Sequence, residues 1–485
     1  MSWGTGGSIR SCDALLKRVE GDDPTLTELV ILPMKVFGPL DADRLSRAIA
    51  SGANTHLKSI SASGHNLPPE SLKQLARALS IQAMRMSMKR DNGEICGISS
   101  IAIGSNDMRD SGVIALCEGL EESNGGLLRM IDFGWKNIGN DGVRAIGKTF
   151  ASSKYLTQID LSRNSDIGNE EIACLVKAAK ERAGDETVAF PSLEKLILSE
   201  CNIGPKGMKN LAEMLLGTDA NRCKLIYVAI SSNPIGPEGC EALARLIAMP
   251  EKGSMLSCLY MSQCSIGDEG VKLLSNAATS NSCCGLTHLD LSENSITSDG
   301  ARVFAASLSG SWPSLVDLKL AKNDLGSEGV MSVMESLRSR SVRATDDAEK
   351  TKNQSLKNVD LTCTGCEKEG AIAALNSSCL TTLRLFNNRL GSEGFRSLSA
   401  LLRGGHPSIE NLDLGGNDAD EESVIVLLNA IADKVDDGAA SKLSVLEIGG
   451  NKFGAKAMDA LTKLKQEWPR LDVAHDKPIE ESDED

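Results

Sequence analysis

The stretch Leu286–Asn294 reads LTHLDLSEN, with leucines at its first, fourth and sixth places and an asparagine at its ninth. Apolar residues alternating with polar ones mark a strand with one buried face, because successive strand side chains point to opposite sides. The pattern returns as LTQIDLSRN at Leu156–Asn164 and as LVDLKLAKN at Leu315–Asn323. With close variants it starts at Leu26, Leu57, Ile98, Leu128, Leu156, Leu193, Leu225, Leu256, Leu286, Leu315, Leu356, Leu380, Ile409 and Leu443, at intervals of 24 to 41 residues and most often 29 to 32. Such a period means one supersecondary unit repeated fourteen times, each unable to bury its apolar face until a neighbour covers it. Almost the whole chain therefore reads as one solenoid.

The rest of the repeat completes the unit. The tenth residue after the start is again apolar, as at Ile203, Ile235, Ile266, Ile296 and Leu325, and glycine follows it in most copies. A second glycine recurs fourteen residues after the start, at Gly142, Gly207, Gly239, Gly270 and Gly300 among others, which implies close packing where a helix begins. Apolar residues then follow at helical spacing, as in Leu211, Leu215 and Leu216. Each unit buries about six aliphatic side chains, worth roughly 1.5–3 kcal/mol apiece once neighbours cover them.

Residues 1–25 are expected to cap the array, with an amphipathic segment over residues 12–19; the repeats run over 26–470, and 471–485 form an acidic tail ending in IEESDED. Ala455–Trp468 supplies a closing helix. Longer intervals insert Met84–Gly97, Lys180–Ala189 and Arg338–Ser355 between a helix and the next strand.

Composition narrows the function classes. The net charge is −14, from 66 acidic and 52 basic residues, which disfavours nucleic acid because no basic face offsets phosphate repulsion. Aromatic residues make up 3% of the chain, so the core is aliphatic and few large anchors remain for binding. The N-terminal MSWGTGGSIRSCDALLK lacks the apolar run of a secretory signal, and no window reaches the roughly 18 apolar residues of a membrane span. The fourteen cysteines scatter through core and helix positions, which fits a reducing compartment. A cytoplasmic protein that does not bind membranes is expected.

Two motifs look chemical until the register places them. Gly142–Thr149, GVRAIGKT, satisfies the phosphate-loop expression, but that motif works only as a loop whose backbone amides surround phosphates. Here Gly142 is the recurring packing glycine, so the stretch is assigned to the interior of a helix. Cys363-Thr364-Gly365-Cys366 resembles half of a zinc or redox site, yet Cys366 fills the slot that Ile or Leu holds elsewhere, and no second pair completes a tetrahedral set. His65 occupies an asparagine slot, as do Cys201 and Cys264, and Cys283-Cys284 is a loop pair too close for an ordinary bridge. No cofactor, metal or catalytic residue is expected.

The outward strand residues form columns across neighbouring repeats, with strands about 4.8 Å apart. At the fifth place the column ends Asp290, Lys319, Asp360, Arg384, Asp413, Glu447, a largely alternating ladder that neutralises itself. Asp132 and Asp160 are adjacent in the same column with no cation between them, although Arg163 lies nearby. Ile197, Tyr227 and Tyr260 lie between these regions, with Trp135 towards the N-terminus, and the two tyrosines are read as an anchor pair on neighbouring strands. Asp132, Trp135, Asp160, Arg163, Ile197, Tyr227 and Tyr260 are the candidate protein-binding residues.

Repeats of 28–32 residues with LxxLxLxx(N/C)x(L/I)G followed by a full helix resemble the ribonuclease-inhibitor-like class of leucine-rich repeats over about residues 26–465. The resemblance implies an α/β leucine-rich repeat solenoid, a horseshoe with parallel strands on the concave face and helices on the convex face. It also implies a scaffold that binds a protein partner on the concave face. The class includes ribonuclease inhibitors, the repeat regions of nucleotide-binding immune receptors and Ran GTPase-activating proteins. The last of these are similar here in the final repeat, LSVLEIGGNKFG, and in an acidic tail, so the alternative is an activator of a small GTPase. None of that family's functional residues is matched to a position in this chain.

Overall fold

A computed structural model describes residues 10–52, 54–87, 97–184, 188–216, 224–248, 256–280, 285–308, 310–343, 356–377, 379–403, 406–433 and 442–476. Much of the three inserted segments, the Cys283-Cys284 pair and the IEESDED tail lie outside the described residues.

The chain divides into two compact units, Met1–Ile235 and Gly236–Asp485. The first holds strands β1 (Glu28–Val30), β2 (Ser59–Ser63), β3 (Ser100–Gly104), β4 (Met130–Asp132), β5 (Gln158–Asp160), β6 (Lys195–Ile197) and β7 (Tyr227–Ala229). The second holds β8 (Cys258–Tyr260), β9 (His288–Asp290), β10 (Asp317–Lys319), β11 (Asn358–Asp360), β12 (Thr382–Arg384), β13 (Asn411–Asp413), β14 (Val445–Glu447) and β15 (Asp472–Ala474). Within each unit every strand pairs in parallel with the next in chain order, and a helix links them. This is the expected α/β leucine-rich repeat solenoid.

The repeat pattern sets the register. Fourth-place residues align across strands, as in Ile131↔Ile159 and Leu289↔Leu318, and all four are buried. The strands are only three residues long in most repeats, and the ninth residue holds the loop that follows them. Asn294 shows how: its Oδ1 accepts the Cys264 and Ile266 amides at 2.9 and 3.5 Å. Its Nδ2 donates to the Met261, Leu291 and Ser292 carbonyls at 2.8, 3.0 and 3.1 Å. One buried side chain thereby satisfies backbone groups of two repeats that would otherwise be costly to leave unpaired. Asn164, Asn233, Asn323, Asn388, Asn417 and Asn451 repeat much of this geometry. Substitutes stand in the slot elsewhere. Cys201 Sγ donates to the Leu161 carbonyl, His65 Nε2 lies 3.1 Å from the Ile31 carbonyl, and Thr364 Oγ1 donates to Leu361.

The helix layer explains the misleading motifs. GVRAIGKT falls inside the helix Asn140–Phe150, not in a loop. A Cβ on Gly142 would lie 2.6 Å from Ile138 Cγ2, and one on Gly147 would lie 2.9 Å from the Leu175 carbonyl oxygen. Both glycines are therefore demanded by helix packing. Cys363 and Cys366 are free thiols, and burial pushes the Cys366 thiol up to about 12.

At the ends, the helix Asp13–Glu20 turns Leu16 and Val19 inward as a cap, and Ala455–Glu467 buries Ala457, Leu461 and Leu464. A strand beyond the expected repeats follows: Asp472–Ala474 pairs with Val445–Glu447, within residues read from sequence as tail. Its register explains why the pattern hides it. Val473 lies opposite Leu446, so Arg470 and His475 fall where the first and sixth apolar residues would stand. His475 stacks on Phe453 with ring centroids 4.7 Å apart, covering the last repeat in place of an aliphatic side chain.

Candidate protein-binding surface

The fifth-place aspartates have a structural duty that sequence patterning does not reveal. Asp132, Asp290, Asp360 and Asp413 each use Oδ1 to accept the amide two residues on, from Gly134, Ser292, Thr362 and Gly415, at 2.9 to 3.0 Å. Asp160 accepts both the Ser162 amide at 2.9 Å and its hydroxyl at 2.6 Å. These are Asx turns, which bend the chain out of the strand into the asparagine loop. The second oxygen, Oδ2, remains to interact outward.

In the second unit those outward oxygens meet cations. Lys319 Nζ lies 3.8 Å from Asp290 Oδ2, and Arg384 Nη1 lies 3.6 Å from Asp360 Oδ2. The alternating ladder is thus built as expected. Its end departs from alternation: Asp413 stands opposite Glu447 on one side and Arg384 on the other. Burial, with Glu447 adding to it, raises the Asp413 carboxyl above its usual value.

In the first unit Asp132 and Asp160 are direct register partners. Their Oδ1 atoms lie 3.2 and 3.4 Å from the point where a Cβ on Gly134 would sit, and Ser162 Oγ lies 3.3 Å from it. The two carboxylates and the Ser162 hydroxyl therefore crowd round the Gly134 backbone, where a larger residue would be pressed against all three. Arg163 is turned elsewhere, its Nε donating to Glu200 Oε1 at 3.0 Å. Burial raises the Asp132 carboxyl, and neighbouring Asp160 raises it further against the Gly134 amide and the charge of Lys136.

Lys136 is the functional-looking residue that the outward columns did not include. It fills the ninth slot of its repeat, where asparagine belongs, and is only 4% exposed. Burial lowers its pKa and the Asp132 charge partly restores it. The signal was a lysine where the ladder calls for a neutral side chain that accepts backbone hydrogen bonds.

Trp135 and Arg163 occupy the eighth place of consecutive repeats, both in the left-handed region, with φ of 57° and 59°. Their amides donate to the Ser162 and Ser199 carbonyls at 2.8 Å, so neighbouring repeats hold the unusual backbone. This conformation throws the side chains out of the loop, and Trp135 is 56% exposed. Ile197 lies opposite Asp160 and Ala229 in the fifth-place column.

Tyr227 and Tyr260 do not share a column. Tyr227 stands at the third place of its repeat, opposite Lys195, and Ala229 takes the fifth. Tyr260 stands at the fifth place, opposite Asp290. Each is partly covered within its own unit, Tyr227 by Lys195 Nζ at 4.4 Å from the ring centroid and Tyr260 by Lys319 Nζ at 5.9 Å.

Sequence comparison with known proteins agrees with this architecture. The Leucine Rich repeat family profile matches residues 191–212, 222–244, 254–275, 282–305, 313–334 and 376–399. The chain is 24% identical over 334 residues to the ribonuclease inhibitor of Mus musculus, covering 63% of this chain and 68% of that protein. It is 26% identical over 321 residues to NACHT, LRR and PYD domains-containing protein 5 of Homo sapiens, covering 62% of this chain and 25% of that one. A crystal structure of the Rad7 and Elc1 complex in yeast aligns over 85% of this chain and 90% of the matched chain, with 15% identity and a TM-score of 0.47. The chain is a leucine-rich repeat protein of the ribonuclease-inhibitor-like class. No helix among the described residues is long and apolar enough to cross a membrane.

Proposed function

We propose that this protein is a binding scaffold whose outward strand face in the first unit engages a protein partner through Asp132, Trp135, Asp160 and Ile197. The observation that carries the reading is the register pairing of Asp132 with Asp160. Like charges directly opposite are mildly destabilising, and a partner that supplies a positive side chain there removes that cost. The exposed indole of Trp135 offers an amphipathic anchor next to the charge, of the kind enriched at interface hot spots. Arg163 and Tyr227 form the rim, each already engaged by a neighbour. Similarity to a ribonuclease inhibitor, a protein named for its action on another protein, supports a protein partner.

Affinity capture from native extract with wild type, Asp132→Asn/Asp160→Asn and Trp135→Ala tests the proposal. Asparagine keeps the Oδ1 acceptor of the turn and removes only the charge. The expected result is a protein retained by wild type, released by moderate salt and depleted from both variants. Retention unchanged in both folded variants overturns it.

A further inference from the structure

We infer that Cys258 is a reactive thiol, activated by His288, that forms mixed disulfides with low-molecular-weight disulfides. Cys258 and His288 are register partners on β8 and β9, at the third place of their repeats, where side chains leave the core. Cys258 Sγ lies 3.7 Å from His288 Nδ1. That distance is within hydrogen-bonding reach for sulfur, and a thiol held against a base can pass its proton to it as it attacks.

A hydroxyl of the neighbouring residue shares the imidazole nitrogen. Thr287 Oγ1 lies 2.8 Å from the same imidazole nitrogen and donates to the Ser257 carbonyl at 3.0 Å. Several other thiols among the described residues are placed differently. Burial pushes Cys117, Cys240 and Cys366 up to about 12, and Cys12 and Cys201 to about 11, so they stay protonated. Cys174, Cys258, Cys363 and Cys379 are half-buried. Cys363 Sγ instead faces the Asn387 amide at 3.3 Å, and Cys379 Sγ the Ser377 hydroxyl at 3.3 Å.

In the reaction the Cys258 proton passes to His288 Nδ1 and the thiolate attacks one sulfur of the disulfide. A new S–S bond forms at Cys258, the old S–S bond breaks, and the departing thiolate takes the proton from the imidazolium. The disulfide is the only oxidant needed. The adduct stands beside Tyr260, two residues along the same strand.

The full-length protein, treated with oxidised glutathione and mapped by mass spectrometry over time, tests this. Cys258 is expected to be glutathionylated at least tenfold faster than Cys174, Cys363 and Cys379. In His288→Gln, with folding checked by circular dichroism, its rate is expected to fall at least fivefold while theirs stay the same. Equal rates at the four thiols in wild type overturn the inference, as does an unchanged Cys258 rate in His288→Gln.

Discussion

The two units present the same fifth-place column in opposite electrostatic states. In the second, Lys319 and Arg384 stand between acidic neighbours and reach Asp290 and Asp360 at 3.8 and 3.6 Å. In the first, Asp132 and Asp160 face each other, and the cation whose charge acts on Asp132 is Lys136, buried in the loop behind the strand. The same turn-forming aspartate therefore serves two ends. Where a cation follows in the next repeat the column closes on itself, and where none follows two carboxylates stand side by side.

Both faces rest on one kind of core, and breaking that core has the largest effect. Leu291→Asp puts a carboxylate at a site with 0% exposure, and should cost the second unit about 4 kcal/mol or more in chemical denaturation. An unchanged midpoint would remove Leu291 from the core. Next comes the ladder: Asn294→Ala orphans backbone groups in two repeats and should cost about 3 kcal/mol by the same measurement. A loss below about 0.5 kcal/mol would mean that water replaces the side chain.

Lys136→Met sharpens the contrast from the other side. A lysine whose folded pKa is depressed contributes stability only above its unfolded pKa, and that contribution is lost as pH falls through the folded value. At pH 7 the buried charge is therefore a burden, and its removal should stabilise the first unit by roughly 1–2 kcal/mol, a gain that shrinks as pH rises towards the lysine range. Destabilisation at pH 7 would show instead that Lys136 is needed to hold Asp132. For Asp132 the sign is reversed. Its folded pKa is raised, so its favourable contribution is complete below the unfolded value near 3.8 and is lost as pH rises through the folded one. Asp132→Asn should accordingly gain on wild type at pH 7 and lose that advantage as pH falls towards 4.

The smallest change copies one face onto the other. Ile197→Lys sets a cation opposite Asp160, as Lys319 stands opposite Asp290. It should add about 0.2–1 kcal/mol at low salt and nothing at high salt. No salt dependence would mean the new side chain does not reach the carboxylate.

The architecture was legible because period and register belong to the chain itself. Leucine spacing placed β1 to β14, and the recurrence of Gly142 and Gly207 assigned the phosphate-loop lookalike to a helix. The fifteenth strand was hidden because Arg470 and His475 replace the apolar residues that announce the others. The surface was half legible. Asp132 and Asp160 could be placed side by side by counting, and counting from Leu225 and Leu256 puts Tyr227 at a third place and Tyr260 at a fifth. Lys136 stands outside the outward columns because the ninth place faces into the loop, where the pattern calls for a neutral hydrogen-bonding side chain. The left-handed backbone that exposes Trp135 has no local signature, since tryptophan does not favour it; the repeat imposes it.

We propose that the uncompensated face, and not the self-paired one, receives the partner. The most direct measurement is the affinity of the captured partner for two charge-matched variants, Asp132→Asn/Asp160→Asn and Asp290→Asn/Asp360→Asn. Binding should weaken at least tenfold in the first and stay within twofold of wild type in the second. Equal losses, or a greater loss in the second, would contradict it.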